Sequence, residues 1–207
     1  MFQKRFSIGV VLAVLTTILA AAPVLQAQGT PEQRNNYGGP PTAGKITSIS
    51  GEDLVIMQED GTNRTIHLGS QTRITVRQPV QFDALTKGEF LGVAAKREPD
   101  GSLTAVAINI LPSEFTQNAR TFQRPMADGN VMTNAPISNL VTGVSGRTLT
   151  MVYNGGTATI LVPDSATINR ITPADNSALA VGKSVAVRGR QQSDGSVNAT
   201  FISIDGN

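Results

Sequence analysis

Acid–base catalysis needs convergent titratable side chains, and this sequence has few of them. His67 is the single histidine. Strand alternation places Ile66 and Leu68 inward and turns His67 outward, away from any evident partner. Glu52 and Asp53 are adjacent and face opposite ways on a strand, so they make a poor general acid and base pair. We predict that the chain is not an enzyme, and a hydrolase is the least favoured function.

The composition also argues against metal and cofactor chemistry. The chain has no cysteine, which excludes thiolate zinc sites, iron–sulfur clusters and a lipid anchor attached to a cysteine. With one histidine, a zinc site would have to rest on carboxylates. Neither an alternating aspartate ladder for calcium nor a glycine-rich phosphate loop is visible. We therefore expect no metal and no cofactor.

Basic residues on strand faces are the stronger candidates, and they suggest binding. Val185 and Val187 are expected to point inward, which places Arg188 and Arg190 together on the outer face of their strand. The whole predicted stripe consists of Arg73, Arg77, Lys96, Arg188 and Arg190. It would suit an envelope protein, or an anionic or glycan polymer. Nucleic acid is not expected, because stacking aromatics are scattered and tryptophan is absent. The alternative is an ordinary solvated strand face.

The elements that must position these residues are short strands. Apolar runs rich in Val, Ile and Thr are separated by turn dipeptides, and long helical periodicity is absent, so the sequence predicts an all-β protein. The turn dipeptides are Asp60-Gly61, Asp100-Gly101, Asn154-Gly155 and Asp194-Gly195. The predicted strands of the first half are 44–50, 53–58, 64–68 with an extension at 73–76, 89–97 and 103–110. A single helical turn is expected just before Gly88.

The same pattern occurs twice. Residues 98–110 match residues 192–204 at an offset of 94, and 66–74 and 85–96 match later segments at the same offset. Farther upstream the match continues at an offset of 95. We predict two copies of one module, 44–111 and 140–207.

The first strand of each module is expected to bend. Ile46 and Ile49 are three residues apart, as are Val141 and Val144, whereas a flat strand keeps its inward residues two apart. An extra residue must be absorbed, so β-bulges are expected near Ser48 and Gly143. In the last strand of the first module the inward residues change phase after Ala105. The last strand of the second module repeats this change after Ala199. Bent strands of this kind are needed to close a small barrel.

This strand order, with its bulged first strand and DGS hairpin, resembles the five-stranded oligonucleotide/oligosaccharide-binding barrel, the OB-fold. The pattern KITSISGEDLVI followed by LTKGEFLGVAAKREPDGSLTAVAINI also resembles an exported bacterial family known only as a domain of unknown function. The resemblance implies two tandem OB-like β-barrels. It carries no catalytic residue to transfer, and a fold by itself does not establish a function.

The N-terminal residues have the layout of an export signal. Lys4 and Arg5 precede an apolar run from Ile8 to Ala22, and cleavage is expected after Ala27, so 1–27 is predicted to be a signal peptide. The alternative is an uncleaved membrane anchor, although the run is shorter than the roughly 20 residues that span a bilayer. Removing the segment takes two of the 17 basic residues and leaves 15 against 15 acidic ones. The mature chain is thus formally neutral, and no stable membrane insertion is expected.

Two segments lie outside the modules. Residues 28–43 are rich in Gly, Pro, Asn and Gln and are predicted to form a flexible tether. Residues 112–139 are predicted to be a linker, in which Phe115, Ala119 and Phe122 have the spacing of a short amphipathic helix. This linker either covers exposed core or binds a partner.

Together these features predict an exported binding or scaffolding protein of the bacterial envelope or extracellular space. The alternative is a structural subunit that associates by β-strand addition at open barrel edges. The sequence leaves open the ligand, the oligomeric state and the choice between periplasm and cell exterior.

Overall fold

The computed structural model describes residues 41–143 and 146–206. They form thirteen β-strands, one short α-helix and two 3₁₀ turns, which confirms the all-β prediction. The predicted signal peptide and most of the predicted tether lie outside the described residues. Among those described, no helix has the length and apolar character needed to cross a membrane.

The strands of the first repeat lie close to the predicted runs. They are β1 (Thr42–Ser50), β2 (Asp53–Met57), β3 (Asn63–His67), β4 (Arg73–Pro79), β5 (Phe90–Arg97) and β6 (Leu103–Leu111). A helix α1 (Ser113–Thr116) and a strand β7 (Phe122–Pro125) follow. The second repeat provides β8 (Val131–Gly143), β9 (Gly146–Tyr153), β10 (Gly156–Val162), β11 (Thr167–Ala174), β12 (Ser184–Gln191) and β13 (Val197–Asp205). The 3₁₀ turns are Phe82–Ala84, at the predicted helical turn, and Asn176–Ala178.

The strands close into two five-stranded barrels, as the OB-fold resemblance implied. Barrel I contains β1, β2, β3, β12 and β13, and a parallel pairing of β3 with β13 closes it. Barrel II contains β5, β6, β8, β9 and β10, and the equivalent parallel pairing of β10 with β6 closes it. Each barrel therefore combines strands from both repeats.

The hydrophobic cores follow the barrels and not the repeats. In barrel I, Ile46, Leu54 and Ile66 of the first repeat pack with Ile202 and Ile204 of the second. The core of barrel II joins residues of β5 and β6 to residues of β8, β9 and β10 in the same way. The division into 44–111 and 140–207 stays a prediction about the sequence repeat. In the folded chain the apolar faces of each repeat are covered largely by the other.

Strands β4 and β11 carry the chain between the barrels. They pair antiparallel, and near the centre of the pairing Arg77 lies opposite Ile171. These two positions are equivalent at the repeat offset of 94. An antiparallel pair centred on equivalent positions is what a local two-fold axis produces. Seven extended residues advance the chain by about 23 Å, so β4 leads away from barrel I and delivers β5 to barrel II.

Nearly half of the predicted linker is strand. The helix α1 ends at Thr116 and does not reach Phe122, which lies in β7. Strand β8 begins at Val131 and pairs with β5. This pairing satisfies backbone groups of β5 that an irregular linker would leave open, which is why the segment is not a simple connector.

One of the two predicted first-strand bulges is confirmed, and the other is wrong. The register of β1 against β2 shifts between Ile46 and Ser48, as predicted. In the second repeat the shift lies between Ile137 and Asn139, while Gly143 is regularly paired with Gly146. The hairpin of β8 and β9 is longer than its counterpart, so the structural equivalent of Ile46 is Ile137 and not Val141. The predicted face change in the last strand of each repeat is confirmed, because the register of β6 and of β13 also shifts.

The predicted Asp-Gly turns all lie in hairpins, and their aspartates support them directly. Asp100 accepts hydrogen bonds from the Ser102 amide at 2.9 Å and from its hydroxyl at 2.7 Å. Both bonds lower the pKa of Asp100, and the bond from the Ser102 hydroxyl has the larger effect. Asp194 and Ser196 repeat the arrangement in barrel I.

An ion pair ties the crossing strand β11 to the first repeat. A guanidinium nitrogen of Arg170 lies 2.7 Å from Glu89 Oε1, and another donates to the Ala84 carbonyl at 3.1 Å. The Thr86 amide donates to Glu89 Oε2 at 2.9 Å. Burial alone would raise the pKa of Glu89, but the bonds from Arg170 and Thr86 outweigh it and hold this pKa below its usual value.

This pair predicts a stability difference that depends on pH. A carboxyl whose pKa is depressed by folding stabilises the folded state above its unfolded pKa, and the contribution is lost as the pH falls through the folded pKa. We expect Glu89→Gln to lower the free energy of unfolding by about 1 kcal/mol near neutral pH. The difference from the unmodified protein should shrink as the pH falls below the ordinary glutamate pKa of 4.5. Urea unfolding at a series of pH values measures it. A difference that stayed constant with pH would contradict this assignment.

Candidate functional site

Three neighbouring strands place two arginines on either side of one aromatic ring. Phe201 of β13 lies in register with Arg188 of β12 on one side and with Arg73 of β4 on the other. Residues in direct register point to the same face of a sheet. The next residue on each of β13 and β4, Ile202 and Ile74, is buried in the core of barrel I. Arg188, Phe201 and Arg73 therefore form a row on the outer face, which we call the arginine row.

The row borders a groove of about 360 Å³. The groove is lined by Pro41, Arg77, Asn109, Leu111, Phe115, Ile171, Ala186, Arg188, Phe201 and Ser203. Strands of both repeats contribute, because Asn109 and Leu111 come from β6 whereas Ile171 comes from β11. The groove lies beside the crossing strands and exists only because the repeats exchange strands.

Phe115 lines the groove and lies beside Arg73. It stands on α1, which the chain enters directly from β6, and 37% of its surface is exposed. The guanidinium carbon of Arg73 lies 6.0 Å from the centre of the Phe115 ring. This is the outer limit of a cation–π contact. The contact leaves the hydrogen-bond donors of Arg73 available at the edge of the ring.

The charges of the groove are unequal. Arg77 contacts Asp205 Oδ1 through two nitrogens, at 3.0 and 2.6 Å, so its charge is largely balanced. Arg73 and Arg188 are exposed. No carboxylate in the described part of the chain lies within ion-pair distance of either one. The arginine row is therefore the part of the groove that can take up an anionic group.

The second barrel provides an internal comparison. At the repeat offset of 94, the counterparts of Arg188, Phe201 and Arg73 are Ala94, Ala107 and Thr167. These three residues occupy the same register on β5, β6 and β11. Both barrels keep their buried residues, but only barrel I has arginines and a ring at these outer positions. Folding alone does not require them, since barrel II forms with small neutral residues there.

Of the five basic residues predicted to form a stripe, the structure brings three together. Arg73, Arg77 and Arg188 border or line the groove. Lys96 lies on barrel II and pairs with Glu98 at 3.0 Å. Arg190 shares the outer face of β12 but lies opposite Asn198, outside the groove lining. That these residues bind a ligand stays a prediction.

The two phenylalanines of the site were not identified from the sequence. Phe115 was assigned to a linker helix, and Phe201 lies in a strand that reads as core. The available signal was the repeat itself, because a large ring at position 201 stands where the first repeat has Ala107. A bulky residue that its repeat counterpart lacks indicates an outer position with a separate role.

His67 is outward, as predicted, but the expectation that it lacks a partner is wrong. Its Nδ1 lies 2.7 Å from Asp53 Oδ1, with 39% of the His67 side chain exposed. The pairing of β2 with β3 sets these two residues opposite each other. Asp53 can orient the ring. No cluster of three or more carboxylate, histidine or cysteine ligands that could hold a metal ion occurs in the segments 41–143 and 146–206.

Comparison with known proteins places the chain in a family. The chain is 26% identical over 180 residues to the 27 kDa lipoprotein antigen of Mycobacterium intracellulare, an alignment that covers 78% of this chain and 69% of that protein. No solved structure matches the chain. A family model matches residues 43–109 and 140–203, the two repeats found in the sequence. Because these matches cover more than half of the chain, the protein belongs to the family described as domain of unknown function (DUF5666).

Proposed function

We propose that the protein is an exported, non-catalytic binding protein that uses the groove beside the arginine row to hold an anionic partner. The observation that carries this proposal is the row itself. Two exposed arginines flank one ring, and neither pairs with a carboxylate among residues 41–143 and 146–206. The equivalent positions of the other barrel are small and neutral. Arginine presents a planar fork of donors that matches carboxylate and phosphate groups, and a neighbouring ring adds apolar contact.

An exported location is supported by two independent features. The first 27 residues have the charge and apolar pattern of a signal peptide. The relative from Mycobacterium intracellulare is named a lipoprotein antigen, a name that fits a protein of the cell envelope. Periplasm and cell exterior both agree with these features.

A binding role also fits the available titratable groups better than catalysis does. The Asp53–His67 pair is open to solvent, and neither residue lines the groove. A general base needs a reacting group within hydrogen-bond reach and a site from which water is excluded. An exposed pair on the outer face of a barrel does not provide a site from which water is excluded.

Assembly by strand addition stays a second prediction, with a narrower basis than the sequence suggested. Both barrels are closed, because β3 pairs with β13 and β10 pairs with β6, but each closing pairing involves only two residues of each strand. The edges that were expected to be open are therefore covered only in part. Strand β7 has four residues and ends at Pro125, which cannot donate a backbone hydrogen bond. Its free edge offers little pairing to a neighbouring chain.

The proposal predicts that removing the arginine row abolishes binding of anions. Residues 28–207 are titrated with poly-L-glutamate, polygalacturonate and a single-stranded oligonucleotide, and binding is measured by calorimetry. We expect Arg73→Ala with Arg188→Ala to weaken binding of whichever polyanion binds by about tenfold or more for each arginine. Added salt should weaken binding by the unmodified protein.

The matched control also removes two positive charges. Lys96→Ala with Arg190→Ala changes the net charge equally but leaves the groove intact, so it should bind almost as well as the unmodified protein. Equal losses in both double variants would show that net charge alone is being measured. Absence of binding to the whole panel and also to short peptides with two acidic residues would remove the proposal.

A further inference from the structure

The floor of the groove is apolar. Leu111, Ile171 and Ala186 line it together with the rings of Phe115 and Phe201. Polar side chains are few, because Ser203 is buried and Asn109 is half-buried. A glycan presents hydroxyl groups over its whole surface and needs many hydrogen-bond partners or aromatic platforms. This floor instead suits a bulky apolar group.

The positive charge is confined to two points. Asp205 balances Arg77, which leaves Arg73 and Arg188 at the two ends of the arginine row. A nucleic acid or a long polyanion is held by a continuous track of cations. Two separated arginines with a ring between them match a ligand that has two anionic groups with an apolar group between them.

The backbone beneath the centre of the row is already paired. At Phe201, β13 pairs with β12 on one side and with β4 on the other, so its backbone groups are not available to a ligand that lies across the row. A bound polypeptide must then satisfy its own backbone hydrogen bonds, which an α-helix does. It would be recognised through its side chains alone.

The spacing of the row also fits a helix. Arg188 and Arg73 are separated by two strand intervals, which is about 9.6 Å between their backbones. On an α-helix, residues i and i+7 share one face and are about 10.5 Å apart, and residue i+3 or i+4 lies between them. On an extended strand, residues of one face are about 6.7 or 13.4 Å apart.

We propose that the groove binds an amphipathic helix of a partner protein that presents acidic residues at i and i+7 and a bulky apolar residue between them. The acidic residues bind Arg188 and Arg73, and the apolar residue packs on Phe201, which lies between them. This rests on the proposed function, since it identifies the anionic partner as a helical polypeptide.

The test uses residues 28–207 and synthetic peptides of about 18 residues, long enough to be helical in isolation. The first peptide is alanine-rich and has glutamates at i and i+7 with leucine at i+3. The second has the same composition in scrambled order. The third has glutamates at i and i+4 with leucine at i+2 in a sequence of high β-propensity. Affinities are measured by calorimetry beside those for polygalacturonate and the oligonucleotide.

We expect the first peptide to bind at least about tenfold more tightly than the other two. Phe201→Ala should weaken that binding by about tenfold or more. The melting temperature of this variant should stay close to that of the unmodified protein, because the ring is outward and only half-buried. Phe122→Ala, which removes a ring on β7 away from the groove, is the control and should bind normally.

The remaining outcomes separate the two proposals. Equal binding of all three peptides, or tightest binding of the third, would overturn the helical partner. Binding of polygalacturonate or the oligonucleotide that depends on Arg73 and Arg188, without binding of any peptide, would overturn the helical partner and leave the proposed function standing. If nothing binds, both proposals fail.

Discussion

Neither half of this chain should fold into a monomeric barrel by itself. Residues 41–119 contain β1, β2 and β3 of barrel I but lack β12 and β13, and they contain β5 and β6 of barrel II but lack its other three strands. Each half thus exposes the apolar faces of two incomplete cores. We expect 41–119 and 120–207 to be unfolded or associated when expressed separately, and to form a folded one-to-one complex when expressed together. Amide chemical-shift dispersion and size-exclusion chromatography with light scattering measure both states.

The cut site makes this experiment specific to strand exchange. It falls between α1 and β7, where no strand is broken. If the repeats folded as independent tandem barrels, each half would be a compact monomer with dispersed amide signals, and the two halves would ignore each other in a mixture. That result would contradict the exchanged arrangement. The exchanged arrangement would also be contradicted if each half were already folded into a barrel before the two halves associated.

The sequence predicted the strands well because their signals are local. Alternating apolar residues and Asp-Gly turns report the conformation of five to ten residues at a time, and β1 to β6 lie close to their predicted limits. The exchange could not be predicted in the same way. Both repeats present Ile, Val, Leu and Ala to a core, so either set of partners satisfies the hydrophobic pattern. The choice depends on β4, an extended strand that carries the chain away from its own barrel.

Strand β8 shows a different limit of sequence reasoning. Its first residues include Thr133, Asn134 and Pro136, and a strand with that composition reads as a loop. It is paired on one side with β5 and on the other with β7, so Thr133 is buried although it is polar. Because the start of β8 was assigned to a linker, the first-strand alignment was placed four residues too late and the second bulge was misplaced.

The candidate site could be predicted only in part, for a related reason. Its three arginines, Arg73, Arg77 and Arg188, are among the five basic residues predicted to form a stripe, and strand alternation placed Arg188 on the outer face. The groove needs residues that lie far apart in the sequence, because Phe115 and Leu111 come from the first half and Arg188 and Phe201 from the second. Only the crossing of β4 and β11 brings them together. The same exchange that makes the halves interdependent thus creates the surface that distinguishes barrel I from barrel II.

Removing one core side chain should loosen strands of the opposite repeat. Ile202 of β13 has no exposed surface and packs with Ile46, Leu54 and Ile66 in the core of barrel I. We expect Ile202→Ala to lower the free energy of unfolding by about 2–5 kcal/mol, because it removes buried methyl groups and leaves a cavity. The loss should appear as faster amide hydrogen exchange in β1, β2 and β3, which belong to the first repeat, measured by mass spectrometry on peptide fragments.

The counterpart of Ile202 at the repeat offset provides a matched control. Ile108 of β6 is equally buried, but it packs in barrel II with Leu149, Met151 and Ile160. Ile108→Ala should cost a similar free energy and should speed exchange in β8, β9 and β10 instead. If each variant loosened the strands of its own repeat, the cores would follow the sequence and not the observed barrels. The direction of the effect thus discriminates between the two arrangements even if the two variants are equally unstable.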